Sequence, residues 1–184
     1  MTLALQLPNE ILHEFGTDGV DYIIRPYQWD LASAEKYLGE FIRCKLISDT
    51  VPKDLDGFLV SMVGSKTLWF EAVNSYTGEN VGFFYLTDLI PSHTEKRFVS
   101  ATFHAVVWDG KAHSRIGVGK AFIKRVFEMF RLHRLQAIIP LNRGGAIRNL
   151  KRLGFKDEGV LREAVAYNGD WFSVLILSIL EGEV

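Results

Sequence analysis

Apolar positions along this chain change period several times, and each change marks an element. Tyr22-Ile23-Ile24-Arg25-Pro26 is a short β-type run closed by proline. From Asp30, an N-cap residue type, apolar side chains recur at Leu31, Ala34, Leu38, Phe41 and Ile42, which predicts a helix. Pro52 opens a second helix with Val51, Leu55, Phe58, Leu59 and Met62 on one face, ended by Gly64-Ser65. The period then falls to that of strands. Thr67 to Val73 and Val81 to Leu86 flank turn chemistry around Thr77-Gly78, and Phe98 to Trp108 is a long apolar strand. Val118, Phe122, Val126, Met129, Phe130 and His133 return to helical spacing and carry a helix to about Arg134. Leu135 to Pro140 is a short strand, and Ala146 to Leu153 a short helix stopped by Gly154 in the place of a C-cap glycine. Gly159 to Tyr167 and Trp171 to Leu180 form a closing hairpin about Asn168-Gly169. Residues 1–19 show no clear period; a short helix around Asn9–Phe15, or an arm, fits them. The predicted order is β-α-α-β-β-β-α-β-α-β-β. This is an α/β chain with a mixed sheet (α+β), read as one domain over 1–184 with its core at about 21–180.

Composition narrows the class. With 184 residues, 48% hydrophobic and 23% charged, the chain has the make-up of a soluble globular domain. One cysteine, Cys44, excludes an internal disulfide framework. No apolar run reaches the ~20 residues of a membrane span, and the acidic start with Glu10 and Glu14 does not resemble a secretory leader. The expectation is a cytoplasmic protein with no membrane partner. Charge is uneven: residues 1–100 hold 8 Lys and Arg against 14 Asp and Glu, and the remainder 13 against 8. Between Lys111 and Lys156 stand 12 basic residues and one acid, Glu128. Such a field suits a ligand with several phosphates; a solvated helix face and a nucleic-acid surface are the alternatives.

That basic stretch contains His113-Ser114-Arg115-Ile116-Gly117-Val118-Gly119-Lys120, at the corner where the long strand ends and a helix begins. The first N–H groups of a helix have no partner in it, the helix dipole is positive there, and glycine lets an anion approach the backbone. A dinucleotide fingerprint needs a third glycine where Phe122 stands, and a Walker A loop fails at Ser114 and Ala121. Gly117-Val118-Gly119 resembles instead the pyrophosphate loop of the GNAT (GCN5-related N-acetyltransferase) superfamily, Arg/Gln-x-x-Gly-x-Gly/Ala. The Arg/Gln position holds Ser114, with Arg115 one residue late. The element order is similar to the GNAT order over about residues 21–180. Ala146 to Phe155, ending Leu-Gly-Phe, resembles the family's fourth helix. Glu158-Gly159-Val160-Leu161-Arg162-Glu163 with Asn168-Gly169-Asp170-Trp171 is similar to the closing strands of the branch that acetylates protein N-termini, including ribosomal-protein acetyltransferases.

The resemblance implies an acetyl-CoA-dependent N-acetyltransferase in which a neutral primary amine, of a protein N-terminus or a small molecule, attacks the thioester directly. It implies that the fourth and fifth predicted strands splay, and that Val106, Val107 and Trp108 offer backbone to the pantetheine. Ser114, Arg115, Ile116, Gly117, Val118, Gly119 and Lys120 would hold the pyrophosphate. A base and a proton source are also needed. His104, of the right residue type and on the strand face shared with Thr102, Val106 and Trp108, is the first candidate base; a histidine packed in the sheet is the alternative. Asp109 could bind an ammonium group or act through water, or simply cap a loop. Glu71 is a further acid, with an exposed edge charge the plainer expectation. The family's helix-four tyrosine position holds Leu150 and its helix-start asparagine position holds Arg143, with Asn142 one residue early. The proton donor would then be Tyr167 or Ser173 from the closing hairpin, or a water ordered by Asn142; a rim position is the plainer reading of Tyr167. No metal ligand set is assigned, and a homodimer is compatible with the sequence. A catalytically silent acyl-CoA-binding or interaction module is the competing reading.

Overall fold

Alternating side chains on the β-type runs and one apolar stripe on each helix can be buried together only by covering a sheet on both faces. The computed structural model describes residues 14–17, 20–43, 54–63, 67–108 and 116–184, and does so. In chain order these form β1 (Glu14–Thr17), β2 (Val20–Tyr27), α1 (Leu31–Arg43), α2 (Leu55–Val63), β3 (Leu68–Asn74), β4 (Asn80–Pro91) and β5 (Phe98–Val107). Then come α3 (Ile116–Phe130), β6 (Arg134–Pro140), α4 (Gly144–Arg152), β7 (Lys156–Tyr167), β8 (Asp170–Leu180) and a last 3-10 turn, Glu181–Glu183. The strands make one sheet in the order β1-β2-β3-β4-β5-β6-β8-β7. Every neighbouring pair is antiparallel except β5–β6.

Parity along the strands sorts the core. Phe70, Phe84, Phe103, Leu135 and Leu177 pack with Phe122, Ile123 and Val126 of α3 and Leu150 of α4. Trp69, Phe83 and Val106 face the other way and pack with Ala34, Tyr37 and Phe41 of α1 and Phe58 of α2. Helix starts follow capping chemistry. Asp30 Oδ1 accepts the Ser33 N–H at 2.8 Å while Ser33 Oγ accepts the Asp30 N–H at 3.0 Å, a reciprocal box at the head of α1. At α2 the cap is Asp54, whose Oδ1 accepts the Gly57 N–H at 2.8 Å; Pro52, the expected start, lies outside the described residues. Among the described residues no helix is long and apolar enough to cross a membrane.

Three expectations are corrected. Glu14 and Phe15, placed in a helix or an arm, belong to an additional strand, β1, which pairs antiparallel with β2 and brings the described sheet to eight strands. The strand after the Thr77-Gly78 turn does not stop at Leu86 but runs to Pro91 through a register shift after Thr87, with Asp88 at φ +51°. The third helix ends at Phe130 rather than Arg134, because Arg131 turns to φ +48° and the Leu132 N–H reaches back to the Phe127 carbonyl.

Gly154 closes α4 as its position suggested. Its N–H donates to Lys151 O and the Phe155 N–H to Leu150 O, the paired bonds of a Schellman motif, with Gly154 at φ +105°. A Cβ there would also meet Ile179 Cδ1 at 3.1 Å. Gly154→Ala is therefore expected to lower the unfolding free energy in a urea titration by about 1–2 kcal/mol; an unchanged midpoint would contradict this account of the cap.

Candidate active site

Among the described residues the one parallel pairing in the sheet is short. β5 and β6 pair at Ser100–Arg134, Ala101–Leu135 and Thr102–Gln136, and no further. Beyond that point β5 keeps its register with β4 up to Val107, and β6 keeps its register with β8 up to Pro140, so the two strands part. A side-chain bond, Gln136 Nε2 to Thr102 Oγ1 at 3.0 Å, closes the apex of the V on the last paired residues.

Strand alternation tells which β5 groups face the gap. The Trp108 N–H donates to Val81 O at 3.1 Å, so Trp108, Val106 and His104 turn their polar backbone groups to β4. Phe103, Ala105 and Val107 turn theirs to the opposite edge, where β6 has gone. The gap holds a cavity of about 110 Å³, whose walls include Phe103, Ala105 and Val107 of β5, Ala137 and Ile139 of β6 and Leu150 of α4. Ile116, Val118 and Gly119 at the start of α3 complete its lining. Among the described residues the first turn of α3 carries no acid, and the positive end of its dipole lies at the cavity. An apolar slot with an unpaired strand edge, bordered by a helix N-terminus, suits a long apolar arm ending in phosphates.

The expected residues fall on this frame unevenly. Val107 lines the cavity, but Val106 is buried among the aromatics of the α1/α2 face, and the Trp108 indole donates to Asn80 O at 3.0 Å. The offered edge is thus Ala105 and Val107, one residue out of phase with Val106 and Trp108. Gly117 is exposed at the helix start, whereas Gly119 is buried, and a Cβ on it would meet Leu153 Cδ2 at 2.8 Å. Gly119 therefore serves helix packing as well as the corner. Lys120 is exposed on α3. Asp109, Ser114 and Arg115 lie outside the described residues. Asn142 is exposed in the turn after β6, and Leu150, in the place of the family tyrosine, gives the cavity an apolar wall. Asn149, also lining the cavity, is a polar residue that sequence reasoning passed over; it sits on the quoted helix motif, but nothing in the spacing distinguished it. Tyr167 pairs with Asp170 at the tip of the β7–β8 hairpin, and Ser173 Oγ accepts the Glu163 N–H at 3.2 Å. Part of the basic run is spent on acids: Lys151 on Asp157 at 2.9 Å, Arg134 on Glu158 at 3.1 Å, and Lys156 on Glu183.

Glu71 departs from its expectation. It is not an exposed edge charge but is 8% exposed, bonded to Arg25 Nε at 2.6 Å and Asn80 Nδ2 at 3.1 Å. Directly opposite on β2, Arg25 supplies the charge that lets a carboxylate be buried there.

His104 lies two residues past the apex on the α1/α2 face. Its ring stacks on Tyr85 with centroids 4.4 Å apart and planes within 2°, and Tyr85 stacks in turn on Trp69 at 4.1 Å. Burial pushes the Tyr85 phenol up to about 12 and the His104 imidazole down to about 4, the nearby Asp88 only partly opposing the latter.

No family model matches the chain. A probable N-acetyltransferase of Bacillus subtilis, YjcK, is 34% identical over 74 residues, which span 38% of this chain and only 41% of that protein. Among solved structures, Mycobacterium smegmatis RimJ in complex with CoA-disulfide superimposes with a TM-score of 0.71 at 16% identity, covering 89% of this chain and 84% of RimJ. A GNAT-family acetyltransferase of Bacillus anthracis gives 0.66 at 19% identity, covering 88% and 96%. The fold is that of the GNAT acetyltransferases. A ribosomal-protein-S5-alanine acetyltransferase of Vibrio fischeri, with a TM-score of 0.67 at 16% identity over 91% of this chain and 96% of its own, shares the same GNAT architecture.

Burial of neutral His104 makes stability depend on pH. The unfolded imidazole titrates near 6.5 and the folded one near 4, so the unfolded chain binds more protons between these values. This contribution is whole above pH 6.5 and is lost as the pH falls towards 4, a total of about 3 kcal/mol. Urea titrations across that range should show the wild type losing about that much relative to His104→Gln; parallel curves would contradict the burial.

Proposed function

We propose that this chain is an acetyl-CoA-dependent N-acetyltransferase that moves an acetyl group to a primary amine by direct attack. The observation that carries the reading is the parting of β5 from β6 after Thr102–Gln136, with the first turn of α3 lining the cavity between them. The fold and the RimJ structure, which holds a CoA derivative, support it. Bound acetyl-CoA would supply the activated acyl group and a thiolate leaving group.

The chain's own residues divide the work. Ala105 and Val107 offer backbone to an extended amide-bearing arm, as an added strand would be held. Ile116, Gly117, Val118 and Gly119 receive the pyrophosphate on backbone N–H groups, with Lys120 adding charge and Ser114 and Arg115 completing the loop. A backbone N–H of β5 facing the gap can meet the developing oxyanion. His104, held neutral, keeps a lone pair for the amine proton. Asp109, Asn142 and Tyr167 remain expected contributors at the mouth and the acceptor side. For the acceptor we favour a protein N-terminus, on the branch resemblance and the S5-alanine acetyltransferase neighbour. Leu150 in place of a tyrosine acid favours the second reading, a silent acyl-CoA binder, distinguished by binding without turnover.

Calorimetric titration is expected to give micromolar affinity for acetyl-CoA and CoA, well ahead of ATP. Gly117→Asp separates binding from folding. A carboxylate in the first turn of α3 favours the helix by about 0.3–1 kcal/mol but repels a pyrophosphate. Acetyl-CoA affinity should fall at least tenfold while Tm holds or rises; full affinity in this variant, or no binding by the wild type at low salt, overturns the assignment. Coupled thiol release with alanyl peptides and with polyamines then reads the acceptor class.

A further inference from the structure

The half-buried His104 is not isolated. Its Nε2 lies 3.0 Å from the hydroxyl of Thr87, and that hydroxyl lies 2.9 Å from Oδ2 of Asp88. Thr87 and Asp88 occur where β4 breaks register with β5, and Asp88 takes φ +51°, a backbone state that L-residues rarely adopt. The bulge sets the carboxylate beside its neighbour's hydroxyl rather than on the opposite face, where strict alternation would put it. Asp88 itself is exposed.

The hydroxyl has one proton, and an ionised carboxylate can only accept. Thr87 therefore donates to Asp88 and accepts from His104, which places the imidazole proton on Nε2 and the lone pair on Nδ1. We propose that Asp88, Thr87 and His104 form a proton shuttle, in which Thr87 and Asp88 are positioning and relay residues for the base. This rests on the acetyltransferase reading above and goes beyond it by supplying the proton source that Leu150 cannot.

The shuttle answers a difficulty set by burial. Desolvation holds the imidazole near 4, so at neutral pH it is a poor place to leave a proton. A relay does not leave it there. As the amine lone pair forms the C–N bond, an amine N–H bond breaks and Nδ1–H forms. Nε2–H breaks as a new Oγ1–H forms on Thr87, and the former Oγ1–H breaks as Oδ2–H forms on Asp88. The imidazole stays neutral with its tautomer reversed, and the positive charge is cancelled on the exposed Asp88. When the C–S bond breaks, the chain run backwards returns one proton to the departing sulfur and restores the carboxylate and Nε2–H. The net change is an acetyl group from sulfur to nitrogen and a proton from nitrogen to sulfur.

The test has a readout besides activity. Two-bond proton–nitrogen correlation on the 15N-labelled full chain, with His104→Gln to assign the ring, should show His104 in the Nε2–H tautomer at neutral pH. Thr87→Val should move the ring towards Nδ1–H and lower kcat at least tenfold with acetyl-CoA affinity unchanged; Thr87→Ser should restore both. Asp88→Asn, at the exposed end of the chain, should lower kcat in the same way. An Nδ1–H ring in the wild type, or an active wild type whose kcat is indifferent to Thr87→Val and Asp88→Asn, overturns the shuttle alone. A wild type that binds acetyl-CoA but acetylates no amine overturns the shuttle together with the proposed activity.

Discussion

Two parallel strands held together at only three residue pairs leave backbone on both sides of the gap without its ordinary partner. Most of this structure can be read as the means of keeping that gap open. β4 holds β5 along its length, and β8 holds β6, so neither strand can drift across to heal the break. α3 and α4 cover the face into which Phe103, Ala137 and Leu150 project, and the Gln136–Thr102 bond stops the parting from running further down. Backbone groups along such an edge are ready to pair with a chain-like ligand, as an added strand would.

The two faces of the sheet divide labour. On the α3/α4 face the packing is apolar, and Gly119 lets α3 lie close against Leu153 of the α4 end. That closeness brings the first turn of α3 to the lining of the gap. On the α1/α2 face an aromatic layer runs Trp69–Tyr85–His104 across three neighbouring strands. Buried or bonded polar groups stand beside it: Glu71 with Arg25 and Asn80, and His104 with Thr87 and Asp88. Chemistry at the apex would draw its donor from one face and its acceptor from the other.

Elements with a strong period or a strong cap were legible from residues alone. Asp30, Gly154 and Asn168-Gly169 each impose a local backbone state that tertiary contacts do not override, and the structure follows them. The Gly-x-Gly corner was legible as a helix start. What escaped has a physical reason. Which edge of β5 is free depends on the phase of its hydrogen bonding with β4, fixed by Trp108 to Val81, and that phase leaves no trace in side-chain alternation. Hence the run Val106, Val107 and Trp108 includes Val107 of the gap-facing edge but not Ala105, its other member. Glu71 looked like an edge charge because its partner, Arg25, is 46 residues away in sequence. The bulge at Thr87–Asp88 carries neither glycine nor proline, so nothing announced it.

The most direct test of the account is residue-resolved amide hydrogen exchange along β5, with and without acetyl-CoA. Amides of His104, Val106 and Trp108, bonded to β4, should exchange slowly in both states. Those of Ala105 and Val107, turned to the open edge, should exchange fast in the free protein and become protected when acetyl-CoA is added. Ala105 and Val107 amides that are already as slow as their neighbours, or that acetyl-CoA leaves unchanged, would contradict an open strand edge built to receive it.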